Sequence, residues 1–516
     1  MSAAARIRDA RRVLHPGPVG LPDAGRLPAR PRAVVVGGGI AGLAAATALA
    51  ERGVTVDVVE RAPYLGGRVG GWTETLGDGQ TVAMNRGFHA FFRQYYNLRE
   101  LLRRTDPGLT RLTPVDDYPL VDGHGRRDTF RGLPQTPPWN ALAFALRSPT
   151  FRLRDLVRVD GRAAVPLATV SVPDIYQRLD DIDAASFLRQ INFPDAAQHL
   201  AFEVFSRSFF SRPAELSAAE LAAMFHIYFL GSNEGLIFDV ATDNFDAALW
   251  EPLRAYLSGR GVTVHTDRAV DAVEPGTQRR FRVRCDGGDL DADGVVLAAD
   301  IAGLQRIVDA SPELGDAGWR ATVAGLRTAP PFVVQRLWLD RPVHADRPAF
   351  LGTGGLEPLD NVSVVNRYEQ QAAQWAQRHD GAVVELHAYS APDDTAEVCR
   401  RLVGRLHALY PETAAAKVVG EVVLRREDCP QFGPGDFARR PGVATADPAL
   451  ALAGDGIRID LPVALMERAA TTGFAAANRL LSHWGLAGHS LQTVPVGGRS
   501  PRVSRLLARG AEVGAR

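Results

Sequence analysis

Cysteine is scarce. Cys285, Cys399 and Cys429 are the three in 516 residues, far apart and without a CxxC spacing, so neither a disulfide framework nor a metal site is expected and a reducing compartment fits. Net charge is absent too: 59 acidic side chains balance 59 basic ones, which removes the electrostatic case for nucleic acid as the main partner. Lysine is nearly missing. Lys417 is the single one and arginine supplies the remaining basic side chains, a skew expected of a high-GC bacterial genome. Behind Arg6, Arg8, Arg11 and Arg12 stands no apolar run of the kind a secretory signal needs, so residues 1–30 read as a mobile arm. One uncharged run, AVVVGGGIAGLAAATALA at 33–50, has the length of a membrane span. Its clustered glycines put a turn inside it, so a transmembrane helix is rejected. Repeats, heptads and low-complexity tracts are absent as well. A chain of 516 residues exceeds one ordinary core, so two or more domains are expected.

What is present begins with a βαβ pattern: a β-branched strand at 33–36, a turn at 37–42, a helical stretch at 43–52 and a second apolar strand at 54–59 ending in Glu60. Gly37, Gly39 and Gly42 form G-x-G-x-x-G at the first crossover. Such glycines serve the tight turn, the close approach of a pyrophosphate and helix-on-strand packing, and the following helix aims its N-terminus at the phosphates. Glu60 lies where a carboxylate can bond both ribose hydroxyls and repel a 2′-phosphate, which favours FAD or NAD over NADP. An S-adenosylmethionine site is the competitor for such a turn. Gly66, Gly67 and Arg68, shortly downstream, argue against it, since a second backbone cradle with a guanidinium suits a pyrophosphate and flavin. In MNRGFHAFFRQYYNL, residues 84–98, Phe88, Phe91, Phe92, Tyr95 and Tyr96 recur at the spacing that places five rings on one side of an α-helix. The helical reading makes the stripe mostly core, with Arg86 to His89 at its leading end as the candidate for a site.

GGGIAGLAAA and VDVVERAPYLGGR resemble the flavin-containing amine oxidase and phytoene desaturase superfamily. The resemblance implies FAD and an α/β fold, in which a Rossmann-like FAD domain of glutathione-reductase type is interleaved with a mixed-sheet α+β substrate domain. GVTVHTDRAVDAVE at 261–274 and ADGVVLAAD at 292–300 resemble the strands whose backbone, at Val270, meets the adenosine part. ALAGDGIRIDLPVALMERAATTGFAAANRLL at 451–481 resembles the closing segment, with Gly454 and Asp455 toward the pyrophosphate and ribityl chain and a helix entered around Met466 pointing at the flavin ring. The cofactor-binding set implied is Gly37, Gly39, Ile40, Ala41, Gly42, Glu60, Arg61, Gly66, Gly67, Arg68, Asn85, Arg86, Gly87, Phe88, Val270, Gly454, Asp455 and Met466. The FAD domain is expected over 31–105, 236–305 and 425–486, the substrate domain over 106–235 and 306–424, and a basic tail over 487–516.

The superfamily's amine oxidases keep a lysine near the flavin on a strand similar to PFVVQRLWLD, 331–340, which here has Gln335 and Arg336. Lys417 reads as an exposed helix end, so amine oxidation is demoted. MNRGFHAFFRQYYNLRELL and MFHIYFLGSNEGLIFDVATDNFDAALWEPLRAYL resemble carotenoid φ-ring synthases, also called isorenieratene synthases or β-carotene desaturase/methyltransferases, and that resemblance spans nearly the whole chain. It implies aromatisation of a β-ionone ring. Hydride loss beside a polyene leaves a delocalised cation, for which oxidised flavin is the natural acceptor, and loss of a neighbouring proton gives a ring double bond. After a second hydride loss a 1,2-methyl shift and a further proton loss give the aromatic ring without a methyl donor. No second dinucleotide fingerprint is present, so a quinone or another diffusible acceptor is expected to reoxidise the flavin. His89, His226 and Glu467 are the candidate proton acceptors or charge stabilisers, with Glu234 and Asp239 as weaker ones.

A carotenoid of about forty carbons would cost tens of kcal/mol to move through water at ~0.8 kcal/mol per buried CH₂. A membrane surface is therefore the expected source, and PPWNALAFALRSPTFRLRDLVRV at 137–159 is the candidate interfacial segment. The implied place is the cytoplasm, on the inner face of the cell membrane. The alternatives are another carotene desaturase or isomerase, or a non-catalytic isoprenoid-binding protein of GDP-dissociation-inhibitor type; Glu60, Gly66, Gly67 and Arg68 speak against the latter.

Overall fold

The computed structural model describes residues 9, 11–149, 158–194 and 209–498. Short β-branched runs, apolar on both faces, form a five-stranded sheet in the order Thr263–His265, Thr55–Val59, Arg32–Val36, Gly294–Leu297, Leu450–Leu452. All four pairings are parallel, and the residues of the three inner strands from Val34 to Val36, Val56 to Val59 and 294–297 are buried, as a sheet covered on both faces requires. The helix Ile40–Ala50 has no polar face and is buried over all eleven residues. The closing helix, Leu465–His483, lies on it: a Cβ at Gly473 would stand 2.2 Å from the Ala41 carbonyl oxygen, so a small residue there sets the spacing. A three-stranded antiparallel unit, Val270–Pro275, Phe281–Cys285 and Leu290–Ala292, lies between the third and fourth strands of the parallel sheet in chain order.

The second sheet is mixed and seven-stranded, in the order Val418–Arg426, Phe332–Leu339, Ala382–Ala388, Asn361–Val364, Phe350–Gly354, Leu120–Asp122, Arg127–Asp128. Its pairings are antiparallel except Phe350–Gly354 with Leu120–Asp122. Phe332–Leu339 and Ala382–Ala388 are buried throughout. Residues of both sheets line the cavity described below.

Three expectations are corrected. The aromatic stripe is not a helix. Thr81–Asn85 is a strand, Gly87 turns the chain at φ +106°, and Phe91–Phe92 pairs with Phe238–Asp239; the helix Tyr96–Arg103 begins only at the last ring. Tertiary strand pairing overrides a spacing that is helical on its own. The rings are still sorted by place, with Phe91 and Tyr96 buried off the cavity and Phe88, Phe92 and the buried Tyr95 on its wall. The stretch 1–30 is not a loose arm from residue 11 onward: Val13–His15 pairs with Leu491–Thr493, and Leu21 N donates to Gly485 O. Positions 1–8 and 10 lie outside the described residues, as do 499–516 of the expected basic tail and 150–157 of the expected interfacial segment. Lys417 is exposed, but it precedes the strand Val418–Arg426 rather than ending a helix, and its N–H donates to Asp340 Oδ1.

Candidate active site

A cavity of about 730 Å³ starts at the carboxyl ends of the parallel strands, at Val36, Val59 and Ala298, and reaches the second sheet at Leu120, Gly352 and His387. That volume is within the range of small-molecule sites, roughly 300–1,000 Å³, and the carboxyl ends of parallel strands are where α/β folds bind nucleotides.

At the first crossover Gly37 adopts φ +105°, and a Cβ there would meet the Ala298 carbonyl oxygen at 2.5 Å. Gly39 is different. Its backbone is ordinary and extended, and a Cβ would find nothing nearer than Gly67 Cα at 3.9 Å, so its missing side chain leaves open space at the cavity wall, the room a pyrophosphate needs. Ile40 and Ala41 line the cavity, and the first amides of their helix lack intrahelical acceptors by construction. Gly42 does not line it: a Cβ there would stand 1.9 Å from Gly37 O, so that glycine serves packing. The second glycine pair lies against the first, with Gly66 N donating to Gly38 O at 2.8 Å. Gly66, at φ +92°, has Trp250 Nε1 where its Cβ would be, 2.1 Å away.

Glu60 accepts from Gly38 N at 2.6 Å and from Ala62 N at 2.8 Å, which pins the carboxylate at the strand end and leaves each oxygen a lone pair for ribose hydroxyls. Arg61 pairs with Asp300 near the surface, and Arg68 pairs with Asp455. Gly454 N donates to Thr472 Oγ1 at 2.9 Å, tying the closing turn to the closing helix. Glu60, Arg61, Gly66, Gly67, Arg68, Val270, Gly454, Asp455 and Met466 all line the cavity. The open cradle at Gly39, the helix N-terminus, the pinned acid and the arginine beside the second glycine turn fit FAD.

Beyond the cradle the wall turns aromatic. Phe88, Phe92, Tyr118, Phe238 and Phe350 line it; Phe88 packs on Phe350 at 4.4 Å and Tyr118 on Phe238 at 4.7 Å between ring centroids. Arg86 is clamped by both oxygens of Asp428, at 2.9 and 2.7 Å. His89 Nδ1 donates to Gly87 O at 2.9 Å, which leaves Nε2 as the acceptor. Burial, outweighing that bond, lowers His89 to about 4, so the ring is neutral near pH 7.

Asn85 and Gly87 lie behind this wall rather than on it. Asn85 donates to Glu369 and accepts from Phe245 N, and a Cβ at Gly87 would strike the His387 ring. The catalytic expectation for His226 and Glu467 is corrected: neither lines the cavity. His226 Nε2 donates to Pro495 O at 2.7 Å. Glu467 accepts from Asn97 N, Asn97 Nδ2 and Leu98 N at 2.8, 2.7 and 3.0 Å, capping the helix Tyr96–Arg103 from another element. Glu234 and Asp239 are off the cavity too; Asp239 is buried between Arg93 and Arg99 at 3.2 and 2.8 Å. No group of three or more His, Cys, Asp or Glu suited to a metal occurs among the described residues. Sequence reading missed Asp428, Thr472, His387 and Tyr389, which carry no local motif.

Residues 40–481 match the family described as flavin containing amine oxidoreductase. The chain is 58% identical over 480 residues, 93% of each sequence, to a carotenoid phi-ring synthase of Streptomyces griseus. It is 28% identical to a carotenoid phi-ring synthase of Chlorobaculum tepidum, over 90% of this chain and 91% of that one. Among solved structures, putrescine oxidase bound to putrescine aligns with a TM-score of 0.63 at 16% identity, covering 88% of this chain and 99% of that one, a likeness of fold.

Proposed function

The chain belongs to the flavin containing amine oxidoreductase family, and from that membership we propose that it is an FAD-dependent carotenoid φ-ring synthase, aromatising β-ionone end rings of the β-carotene type. The observation that carries this reading is the 58% identity to a carotenoid phi-ring synthase along 93% of both chains. The cavity agrees with it, since one space joins the dinucleotide cradle to an aromatic chamber. An amine oxidase is disfavoured by the strand Phe332–Leu339, where Arg336 is buried in a pair with Glu385 and no lysine is present.

FAD, when bound, supplies the hydride acceptor. The chain's own residues do the rest. Phe88, Phe92 and Phe350 exclude water and offer ring faces that favour a delocalised cation. His89 presents a neutral Nε2 as the acceptor for a ring proton. Arg86, fixed by Asp428, holds the loop that carries Phe88 and His89.

The substrate reaches the cavity from a membrane surface. The helix Trp139–Arg147 exposes Trp139, Leu142 and Leu146, at 60%, 46% and 57%, while its inner Phe144 stacks on Phe130 at 4.9 Å and Phe130 on Tyr118 at 4.2 Å. Tyr118 lines the cavity. One face therefore suits the bilayer interface while the other leads to the chamber, which supports peripheral association with the inner face of the cell membrane; no described helix is long and apolar enough to cross one. A diffusible acceptor such as a quinone reoxidises the flavin. The FAD domain spans roughly 31–105, 236–305 and 425–486 and the substrate domain 106–235 and 306–424, a division supported by the separate sheets.

Expression in a host accumulating β-carotene tests the reading. Aromatic-ring products lighter than β-carotene are expected. Unchanged β-carotene with altered acyclic carotenes favours another desaturase or an isomerase, and a colourless protein releasing no flavin favours the non-catalytic isoprenoid binder.

A further inference from the structure

Beside His89 the cavity wall carries a chain of side chains that the function above leaves unused. His387 and Tyr389, at the end of the strand Ala382–Ala388, both line the cavity. Nδ1 of His387 is 3.0 Å from the Tyr389 hydroxyl, and Nε2 is 2.8 Å from Glu385 Oε1. The other Glu385 oxygen, Oε2, accepts from Arg336 Nε at 2.9 Å and Nη2 at 2.7 Å. His387, Glu385 and Arg336 are buried. Asn361 Nδ2 donates to the Tyr389 oxygen at 3.1 Å, and Tyr389 N donates to Asp360.

The protonation pattern follows from the carboxylate. Burial by itself raises Glu385, but the adjoining Arg336 charge and the bond to His387 outweigh it and hold the group at about 2. An ionised carboxylate only accepts, so Nε2 of His387 must carry the hydrogen; the longer approach of Phe88 N to Nε2, 3.4 Å, is the weaker contact. In the neutral ring Nδ1 is then a lone pair facing the Tyr389 O–H. A hydroxyl donating to an imidazole whose far nitrogen is held by a buried carboxylate is the arrangement that lets a hydroxyl oxygen gain one proton while passing on another.

We propose that Tyr389 is a second proton acceptor of the site, working through His387, with Glu385 as the positioning residue that fixes the imidazole tautomer. The inference rests on the ring-oxidising function proposed above. Aromatisation removes two protons from each ring, from different carbons, so one acceptor at His89 leaves the other unassigned. In the step assigned here a C–H bond beside the cationic ring carbon breaks. Its electron pair becomes the ring double bond, its proton passes to Tyr389 Oη, and the proton Tyr389 carried passes to His387 Nδ1. The resulting imidazolium faces the Glu385 carboxylate. The hydride removed beforehand goes to FAD, so electrons balance. A C–H next to a carbocation is strongly acidic, which is why a neutral phenol oxygen suffices.

The test pairs turnover with a spectroscopic readout on full-length protein. Tyr389→Phe keeps the ring and removes the hydroxyl. It is expected to retain FAD and the wild-type melting temperature, to form aromatised product at least tenfold more slowly, and to lose the solvent deuterium isotope effect on that product. In ¹⁵N-histidine-labelled protein, the His387 signals, identified by their loss in His387→Gln, should show the Nε2–H tautomer, and Glu385→Gln should shift that balance without changing FAD content. Undiminished aromatisation by Tyr389→Phe, or an Nδ1–H tautomer in the wild type, overturns the relay. Absence of aromatised product from the wild type overturns the ring-oxidising reading, and the catalytic role of Tyr389 with it, whichever tautomer is found.

Discussion

Gly39 and Gly66 belong to adjoining turns and are expected to fail in different ways. A side chain at Gly39 meets open cavity, and the backbone there suits any residue, so Gly39→Val should fold with the melting temperature of FAD-stripped wild-type protein yet lose about 3 kcal/mol or more of FAD affinity, roughly a hundredfold. Flavin absorbance after gel filtration reads this, and stoichiometric yellow protein would refute the cradle. A Cβ at Gly66 meets Trp250 at 2.1 Å from a left-handed backbone, so Gly66→Ala should destabilise the fold itself by about 2–5 kcal/mol, seen as a lower denaturation midpoint. His89 offers a pH test. Its folded value, about 4, lies below the ordinary 6.5 because burial disfavours the cation. The unfolded chain therefore binds a proton that the folded chain refuses as pH falls from 6.5 toward 4, and stability drops over that window. His89→Gln should lower ring aromatisation at neutral pH and flatten the fall in melting temperature below pH 6.5; an identical fall in both proteins would sink the neutral-histidine assignment.

At the scale of elements, the helix Trp139–Arg147 divides its duties between two faces. Asn140 and Phe144 face inward, with Asn140 Nδ2 donating to Phe229 O at 2.9 Å, while Trp139, Leu142 and Leu146 face outward. Replacing those three by serine removes no described packing partner. It should therefore leave the melting temperature unchanged while weakening sedimentation with anionic lipid vesicles by about 1.5–3 kcal/mol per side chain that inserts. Equal vesicle binding by the triple variant would move the membrane contact elsewhere. Helix Tyr96–Arg103 shows how an element can depend on a distant one: its opening amides are capped by Glu467, 370 residues away. Nothing near residue 96 announces that partner.

At the scale of the whole molecule, the FAD cradle gathers the turns at Gly39, Gly67 and Gly454 and the strand end at Val270 from separate parts of the chain onto one cavity. A ligand that binds only this assembled form stabilises it by mass action, about 2.7 kcal/mol at a hundred times its Kd. Titrating FAD into stripped protein should thus raise the melting temperature steadily with concentration, and a melting temperature indifferent to FAD would separate the cavity from the cofactor.

The nucleotide half of the site was legible in the sequence because its geometry is local. A strand, a glycine turn, a helix and an acid within thirty residues carry their own spacing, and backbone sterics admit few conformations for them. The aromatic stretch 84–98 was legible as buried and wall-lining but not as strand and turn, since its spacing matched a helix and only pairing with Phe238–Asp239 decided against it. His226 and Glu467 read in the sequence as candidate proton acceptors, and the fold spends both on tying distant backbone together. His387 and Tyr389 had no signal at all. His387 meets the loop at Gly87 across 300 residues, with Tyr389 beside it, because the second sheet's strand order brings it there, and the long-range packing that sets this order has no counterpart in any local spacing.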